Sequence, residues 1–384
     1  MKKVLFIGNV AGKKMTGSFS RAAISAAHEL GLEYHSVANR DNSTRDQILS
    51  DQAKFGITMH HADISRSPFS KSNIRAFGQI VKIIREHDID YIHCNTPVGG
   101  ILGRLAGKKC KVKKIIYQAH GFHFYKGASK KNWFLYYPVE RWLAHYTDAL
   151  ITINSEDFEL ARTKLKLRNN GKVYYVPGVG IDLSQYNIET KFRSEKRSKL
   201  GLNDGDLALI SMGDLIERKN YDTAIRAIAA ANNSALQYFI CGTGPEEEKL
   251  KNLAQSLGVS DRIHFLGFRS DVKELLAASD IFLFTSKQEG LPRSMMEAMA
   301  SGLPCVASRI RGNTDLLENT DGGYLCDADD ISEYAEKLKL LAADAELRER
   351  MGRSNLITIK KFSIETVNEE IRKIYNKELF GVEI

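Results

Sequence analysis

Two glutamates with seven residues between them, Glu289 and Glu297, bracket the segment whose residue types best suit ligand chemistry. The segment follows an apolar, strand-like run, and Pro292 suits the first position of a helix, where its missing N–H costs nothing. The amides of Gly290 and Leu291 would then lie at a helix N-terminus, which attracts anions. A carboxylate such as Glu297 can accept both hydrogens of a diol. The pattern favours a phosphate and a sugar at one end and a ribose at the other; the alternative is two ordinary helix-start acids.

Two adjacent cations, Arg218 and Lys219, follow another strand-like run that ends at Gly213. The carboxyl ends of parallel strands open on one crevice, so these charges would face the same ligand as Glu289. Lysine acts as a point charge on a phosphate, and arginine can fork onto its oxygens. A solvated loop is the alternative.

Three further loops could contact a ligand. Gly242 and Gly244 follow a strand-like run, where glycine lets the backbone approach a ligand closely, although a plain strand–turn–helix needs the same residues. Phe268 follows the next run, where the backbone could read the edge of a base; a turn capped by Asp271 explains the pattern equally well.

The first strand-like run leads into a loop that carries Gly12 and Gly17. Its spacing fits neither a Walker A loop nor a dinucleotide-binding GxGxxG motif, which argues against an oxidoreductase. The loop still suits contact with a sugar or a diphosphate. His120 comes at the exit of a later strand-like run and could hydrogen-bond a sugar hydroxyl, and it is favoured over His123.

A basic and aromatic stretch surrounds His120. It contains Lys108, Lys109, Lys111, Lys113, Lys114, Lys126, Lys130, Lys131, Trp133, Phe134, Tyr136, Tyr137 and Trp142. Cations with interfacial aromatic rings suit an anionic membrane surface or a pyrophosphate-linked lipid. The alternatives are nucleic acid, or a helix with a core stripe and a solvated basic face.

The composition is that of a globular protein, with 43% hydrophobic and 27% charged residues. A net charge of +8 favours acidic partners. Five scattered cysteines form no CxxC pair, which argues against a zinc ribbon and for reduced thiols in a cytoplasmic protein. No run approaches the roughly 20 apolar residues that span a bilayer, so any membrane contact is expected to be peripheral.

Strand-like and helix-like runs alternate along the chain, with one interruption at 178–202. Strands are predicted at 4–7, 34–38, 58–61, 91–94, 115–118, 149–153, 173–176, 207–212, 237–241, 263–266, 281–284 and 304–307. Helices are predicted at 18–30, 74–87, 133–145, 156–165, 221–230, 246–257, 272–278, 293–300, 332–342, 347–362 and 364–379. The pattern predicts two doubly wound α/β domains, at 1–184 and 206–362, with a linker at 185–205, and the charged run before the second domain is expected to form an exposed helix. A last helix within 363–384 is expected to pack back on the first domain.

Taken together, these residues resemble the retaining GT-B glycosyltransferases of the "group 1" class, family four of the carbohydrate-enzyme scheme, over nearly the whole chain. The E-x7-E pair, Glu289 and Glu297, is the most specific mark. The runs 93–97, 120–124 and 137–141 are similar to the branch that builds capsular and exopolysaccharide repeat units.

The resemblance implies two Rossmann-like domains that face each other across a cleft, a nucleotide-diphosphate sugar donor, preferably of uridine, and a polyprenyl-diphosphate-linked saccharide acceptor. It implies that Lys219 and Arg218 hold the diphosphate, Glu297 the ribose, and Glu289 and His120 the transferred sugar. Many members carry arginine where this chain has Asp214, so one phosphate cation is either missing or supplied by Arg218.

The resemblance also implies catalysis without a cofactor or a bound metal, and Asp329 and Asp330 are better explained as a helix cap than as a metal motif. The acceptor would attack on the face of the departing diphosphate, so that configuration is retained, and a phosphate oxygen of the leaving group would take its proton. The rival predictions are a sugar-nucleotide epimerase of similar fold and a basic nucleic-acid-binding protein.

Overall fold

The computed structural model describes residues 1–10, 18–186 and 190–382. Its internal contacts divide the chain into two compact units, one formed by Met1–Gly180 with the segment from Ile364 onwards and the other by Ile181–Ser363. Each unit is built on a parallel sheet with helices between its strands. The predicted α/β class with two doubly wound sheets is therefore confirmed.

The described part of the first unit contains a seven-stranded sheet. Its strands are β1 (Lys3–Val10), β2 (Glu33–Asn39), β3 (Thr58–His61), β4 (Tyr91–Asn95), β5 (Lys114–Ala119), β6 (Ala149–Thr152) and β7 (Lys172–Tyr175). The helices between them are α1 (Ser18–Glu29), α2 (Arg45–Phe55), α3 (Ser72–Glu86), α4 (Pro97–Cys110), α5 (Lys130–Ala144) and α6 (Ser155–Lys164). The strands pair in the order β3-β2-β1-β4-β5-β6-β7, all in parallel. Strands β4 and β6 are buried along their whole length, as strands covered on both faces must be.

Helix α4 has no counterpart among the predicted helices, because its glycines lower helix propensity. Those glycines let the helix lie close against the sheet. A Cβ atom would come within 2.4 Å of Tyr117 if added to Gly100, and within 2.6 Å of Cys94 if added to Gly103. Packing against the strands thus outweighs the local preference of the sequence.

The described part of the second unit contains a six-stranded sheet. Its strands are β8 (Leu207–Met212), β9 (Leu236–Cys241), β10 (Ile263–Gly267), β11 (Ile281–Phe284), β12 (Cys305–Ser308) and β13 (Gly323–Cys326). Its helices are α7 (Thr190–Lys199), α8 (Tyr221–Ala231), α9 (Glu247–Ser256), α10 (Val272–Ala278), α11 (Arg293–Ala300), α12 (Asn313–Leu317), α13 (Ile331–Ala343) and α14 (Ala345–Thr358). The strand order is β10-β9-β8-β11-β12-β13, so the order reverses between β8 and β11.

Helix α7 lies within the segment that the sequence predicts to be a linker, and ion pairs attach it to the second unit. Arg193 and Arg197 both pair with Asp280, at 2.5 and 2.9 Å. After α14 the chain returns to the first unit as α15 (Ile364–Tyr375). There the hydroxyl of Tyr375 lies 2.8 Å from Nδ1 of His93, and Ile371 joins the core around β1.

None of the helices in the described ranges combines the length and the apolar character that crossing a bilayer requires.

Candidate functional site

In the second unit, the loops that follow β8 and β11 lie side by side because these two strands are paired. The amide of Lys287 donates to the carbonyl of Arg218 at 2.9 Å, and the Thr285 hydroxyl donates to the carbonyl of Asn220 at 2.8 Å. A reversal of strand order leaves a crevice at the carboxyl ends of the strands, which is where doubly wound sheets bind ligands. The fold therefore places both predicted segments at one crevice.

Glu289 is the centre of this group. Its Oε1 atom accepts hydrogen bonds from Arg218 Nη1 at 2.9 Å, from Lys219 Nζ at 2.8 Å and from the Ser286 hydroxyl at 2.7 Å. The carboxylate is only 13% exposed, as is suitable for charge-assisted bonds shielded from water. Two cations around one carboxylate leave a net positive charge, so the group suits an anionic ligand.

The position of Lys219 is fixed by a glycine and an aromatic ring. A Cβ atom on Gly213 would lie 3.0 Å from Lys219 Cε, so the glycine leaves room for the Lys219 side chain. The ammonium lies 5.0 Å from the centre of the Phe284 ring, a favourable cation–π distance. The sequence-predicted Gly213, Arg218, Lys219 and Glu289 are thus brought together. Asp214 is the next residue after Gly213, so its carboxylate joins the same loop where an arginine was expected from the family pattern.

Glu297 lies on α11 and is also only 16% exposed. Its Oε1 accepts from Nε of Arg293, one helical turn earlier, at 2.9 Å. The buried Tyr186 lies beside it: burial, and then the charge of Glu297, raise the pKa of the Tyr186 hydroxyl above its ordinary value. The carboxylate therefore faces polar groups that could give way to a diol.

The bounds of α11 agree with the prediction, but Pro292 does not occupy the first helical position that was expected for it. Pro292 has φ −76° and ψ 112° and is the N-cap, so the first helical residue is Arg293 and the expected first position for Pro292 is wrong. The extended backbone at Pro292 ends the loop that Glu289 begins. Gly290 and Leu291 precede the cap, and the Leu291 side chain packs on the core. A phosphate at their amides stays a prediction.

The loop after β12 contacts this segment, and the sequence predicts no role for it. Nε of the buried Arg311 donates to the Glu289 carbonyl at 3.0 Å. A Cβ atom on Gly312 would come within 2.4 Å of the Gly290 carbonyl oxygen, which explains the glycine. Arg311 and Tyr186 lie far from Glu289 and Glu297 in the sequence, so no local spacing could have revealed them. Ser286 lies three residues before Glu289 in a loop, and Arg293 lies at i−4 from Glu297 on a helix, a spacing that could have revealed it.

Gly242 and Gly244 serve the packing of one loop on another. A Cβ atom on Gly242 would lie 1.9 Å from the Gly213 carbonyl oxygen, and one on Gly244 would lie 2.3 Å from that of Leu215. The Leu215 amide in turn donates to the Thr243 carbonyl at 2.9 Å. These glycines therefore let the loops after β8 and β9 interlock, and their contact with a donor stays a prediction.

Phe268 lies in the loop after β10 and is 83% exposed, which leaves its ring open to stack on a base. Asp271 occupies the N-cap position of α10, as the alternative expected, but its carboxylate pairs with Arg269 at 2.7 Å instead of accepting a capping hydrogen bond. Asp330 does cap α13, accepting the Glu333 amide at 2.9 Å, which confirms the helix-cap explanation of that pair.

His120 lies in the first unit, directly after β5. Burial lowers the pKa of His120 to about 4, so the ring is neutral near pH 7 and can exchange hydrogen bonds with a hydroxyl group. His123 stacks on Tyr136 of α5, with ring centres 4.6 Å apart. Gly12 and Gly17 lie outside the described residues.

The outward face of α5 is more apolar than a solvated basic face would be. Trp133 and Tyr137 pack on the core around Phe124, whereas Phe134 is 80% and Trp142 50% exposed. Exposed lysine and arginine side chains, Lys131 and Arg141, lie on the same helix. Cations flanking exposed aromatic rings form an amphipathic surface.

Known proteins resemble the chain over both units. The family described as "Glycosyl transferases group 1" matches residues 192–356, and "Glycosyl transferase 4-like" matches residues 3–154. EpsD of Bacillus subtilis (strain 168), named as a glycosyltransferase, is 35% identical over 353 residues, 91% of this chain and 90% of its own length. A UDP-Gal:alpha-D-GlcNAc-diphosphoundecaprenol alpha-1,3-galactosyltransferase of Escherichia coli is 28% identical over 308 residues, 79% of each chain.

Among solved structures, Anabaena Alr3699/HepE in complex with UDP and glucose has a TM-score of 0.77 at 20% identity. The match covers 98% of this chain and 100% of that chain. A likeness at this identity shows the fold alone, and it confirms the predicted GT-B class.

Proposed function

The chain belongs to the group 1 glycosyltransferases, and on that premise we propose that it is a retaining enzyme that uses a UDP-sugar as donor. It moves a hexose or an N-acetylhexosamine to a polyprenyl-diphosphate-linked saccharide during capsule or exopolysaccharide synthesis. The Escherichia coli relative is named for UDP-Gal and a diphosphoundecaprenol-linked sugar, which supports this donor and acceptor class, and the Anabaena structure holds UDP, which supports the donor.

The observation that carries the proposal is the group of Arg218, Lys219 and Glu289 at the reversal of strand order. The two cations exceed the one carboxylate they contact, and Lys219 is only 12% exposed. Negative charge develops on the leaving diphosphate in the transition state, and fixed cations stabilise it without reorganising. The positive end of α11 adds to this field.

In the proposed step, the bond from the anomeric carbon to the diphosphate oxygen breaks, and the acceptor oxygen bonds to that carbon on the same face. The acceptor proton passes to a phosphate oxygen of the departing UDP. Glu289 orients the transferred sugar, Glu297 binds the ribose diol, and the neutral His120 contacts a sugar hydroxyl. Lys219 and Arg218 supply the positive charge, so we propose a reaction that needs no metal.

The enzyme is further proposed to meet its lipid-linked acceptor at the cytoplasmic face of a membrane through α5. The exposed rings of Phe134 and Trp142 would enter the interface while Lys131 and Arg141 meet anionic headgroups. Replacing Phe134 and Trp142 by serine together should weaken binding to anionic vesicles by at least about tenfold, since each buried aromatic ring is worth about 1.5–3 kcal/mol. Phe69→Ser, which changes a 92% exposed ring outside α5, is the matched control in the sedimentation assay. Equal binding by all variants would contradict the role of α5.

The experiment that tests the proposed reaction supplies purified protein with UDP-sugars and a membrane extract. Transfer to an extractable lipid, with the α configuration of the donor retained in the product, is the expected result. A β-linked product would contradict retention. Conversion of the donor without any acceptor would indicate an epimerase instead.

A further inference from the structure

Three histidines meet at one edge of the sheet in the first unit. They are His35 on β2, His60 on β3 and His87, which directly follows α3. Each offers a ring nitrogen, and the three nitrogens lie within 4.8 Å of one another. His35 is 1% exposed, and the other two are partly buried.

The sheet register and one helix build this group. Strand β3 is at the end of the strand order, and it pairs His60 with Val37 and Thr58 with His35. Alternate residues of a strand share a face, so His35 and His60 point to the same side. Helix α3 ends there, with the His87 amide donating to the Ile83 carbonyl at 3.1 Å, and its ring lies 4.6 Å from that of His60.

The contact between His35 and Glu33 resembles one around a bound metal, and the contact between His35 and His60 is close to the spacing of two ligands. Nδ1 of His35 lies 2.9 Å from Nε2 of His60, while Nε2 of His35 lies 2.9 Å from the carboxylate of Glu33. A histidine that ligates a metal usually donates its other ring N–H to a carboxylate in this way. Two nitrogens of a tetrahedral zinc site are about 3.3 Å apart for bonds of 2.0–2.1 Å, so His35 and His60 need to separate by only a few tenths of an ångström.

We propose that His35 Nδ1, His60 Nε2 and a ring nitrogen of His87 form a zinc site, with Glu33 orienting His35. Imidazole ligands select transition metals such as zinc over magnesium or calcium. The carboxylate of Glu33 offsets part of the charge of the ion, which matters because the cation Arg40 donates to the His60 carbonyl at 2.8 Å nearby. The metal would fasten the edge strand β3 to the end of α3, a structural role that is independent of sugar transfer.

Strand β3 also provides a control residue. His61 follows His60 and therefore points to the opposite face, where its Nε2 lies 3.0 Å from Asp63. His61→Ala changes the same strand by the same side chain without touching the three nitrogens.

The test is a titration of the full-length, chelator-treated protein with Zn²⁺ by calorimetry and with Co²⁺ by visible absorption. One equivalent should bind, with the ligand-field spectrum of a nitrogen-coordinated ion. His60→Ala and His87→Ala should weaken binding by at least about 100-fold and Glu33→Gln by about 10-fold, whereas His61→Ala should leave it unchanged.

If a histidine variant does not fold, the Tm of the unaltered protein with and without zinc still tests the proposal. Zinc should raise Tm of the unaltered chain and of His61→Ala, and raise it less for Glu33→Gln. Absence of binding by the unaltered protein, or binding that His60→Ala and His87→Ala leave intact, would overturn the proposal.

Discussion

Glu140 in the first unit and Glu289 in the second are both carboxylates paired with cations, but their surroundings differ. Glu140 binds two guanidinium nitrogens of Arg104, whose side chain is 0% exposed and stacks 3.9 Å from the centre of the Tyr117 ring. Glu289 gathers two cations through one oxygen, and Arg218 remains 40% exposed. The first pair is neutral and enclosed, whereas the second leaves positive charge at an open crevice.

Pairing with a cation therefore does not by itself mark a functional carboxylate. Arg104 and Glu140 join α4 to α5 and satisfy one another, so they position the amphipathic helix without offering charge to a ligand. At Glu289, one carboxylate oxygen accepts all three hydrogen bonds, and two positive charges face a single negative charge. Loss of the first pair should therefore reduce stability, and loss of a cation from the second should reduce activity.

The largest expected effect is on the enclosed pair. Arg104→Ala leaves Glu140 without its partner in a largely buried site, and breaking such a pair costs about 3–5 kcal/mol of unfolding free energy. Urea unfolding measures the loss. Arg141→Ala, an exposed cation on α5, serves as control and should change stability by less than about 0.5 kcal/mol. Equal losses of unfolding free energy for the two variants would contradict the stabilising role of the Arg104–Glu140 pair.

The next effect is on transfer. Lys219→Ala removes a fixed cation from the leaving-group site and should lower kcat at least about 100-fold, as is usual for one lost charge-stabilising donor. Its unfolding free energy should change by less than that of Arg104→Ala. Lys287→Ala, a cation of the neighbouring loop that pairs with Asp329 instead, should retain activity. Near-normal turnover by Lys219→Ala would refute the role of Lys219.

Glu297 should affect binding more than chemistry. Removing a carboxylate that bonds the ribose diol costs about 1.5–3 kcal/mol, so Glu297→Ala should raise Kd for UDP by roughly 10- to 150-fold. Calorimetry with UDP measures the change. The surface glutamate Glu318, which is 53% exposed, provides the control variant Glu318→Ala. An unchanged Kd for Glu297→Ala would place the ribose elsewhere.

The smallest predicted effect is a pH dependence of the unfolding free energy that comes from His93 in the first unit. Burial lowers the pKa of His93 to about 3, below its ordinary value near 6.5, so the unfolded chain binds more protons in this window. The stability supplied by neutral His93 is complete above pH 6.5 and is lost as pH falls towards 3. Between pH 7 and 5 the loss should be about 2 kcal/mol.

His93→Asn should flatten this dependence in urea unfolding at several pH values, whatever it does to stability at pH 7. His28→Asn, which changes an exposed histidine of the same unit, should leave the slope as it was. A slope unaffected by His93→Asn would mean that other groups govern the acid response.

Much of the fold could be predicted from the sequence because the strands are buried apolar runs that end at glycine or polar residues. The bounds of β8, β11 and α11 agree with the prediction to the residue. Helix α4 could not be predicted, because its glycines reveal their purpose only against Tyr117 and Cys94. The short elements α12 and β13 carry too few residues for periodicity to show.

The site was predicted where spacing carries information and missed where contacts join distant segments. The E-x7-E spacing and the adjacent cations predicted Glu289, Arg218 and Lys219, which the structure brings together, and Glu297, whose role at a ribose stays a prediction. The support from Arg311 and Tyr186 comes from other loops, so only the folded backbone brings it near. The three histidines of the proposed zinc site lie 25 and 27 residues apart along the chain, a separation that matches no metal motif.

The most direct test of the account is a crystal structure of the protein with bound UDP. In that structure a diphosphate oxygen should lie about 2.7–2.9 Å from Lys219 Nζ, and both ribose hydroxyls should bind the Glu297 carboxylate, with Arg293 turned away from it. A nucleotide bound at any other place, with Lys219 still held only by Glu289, would contradict it.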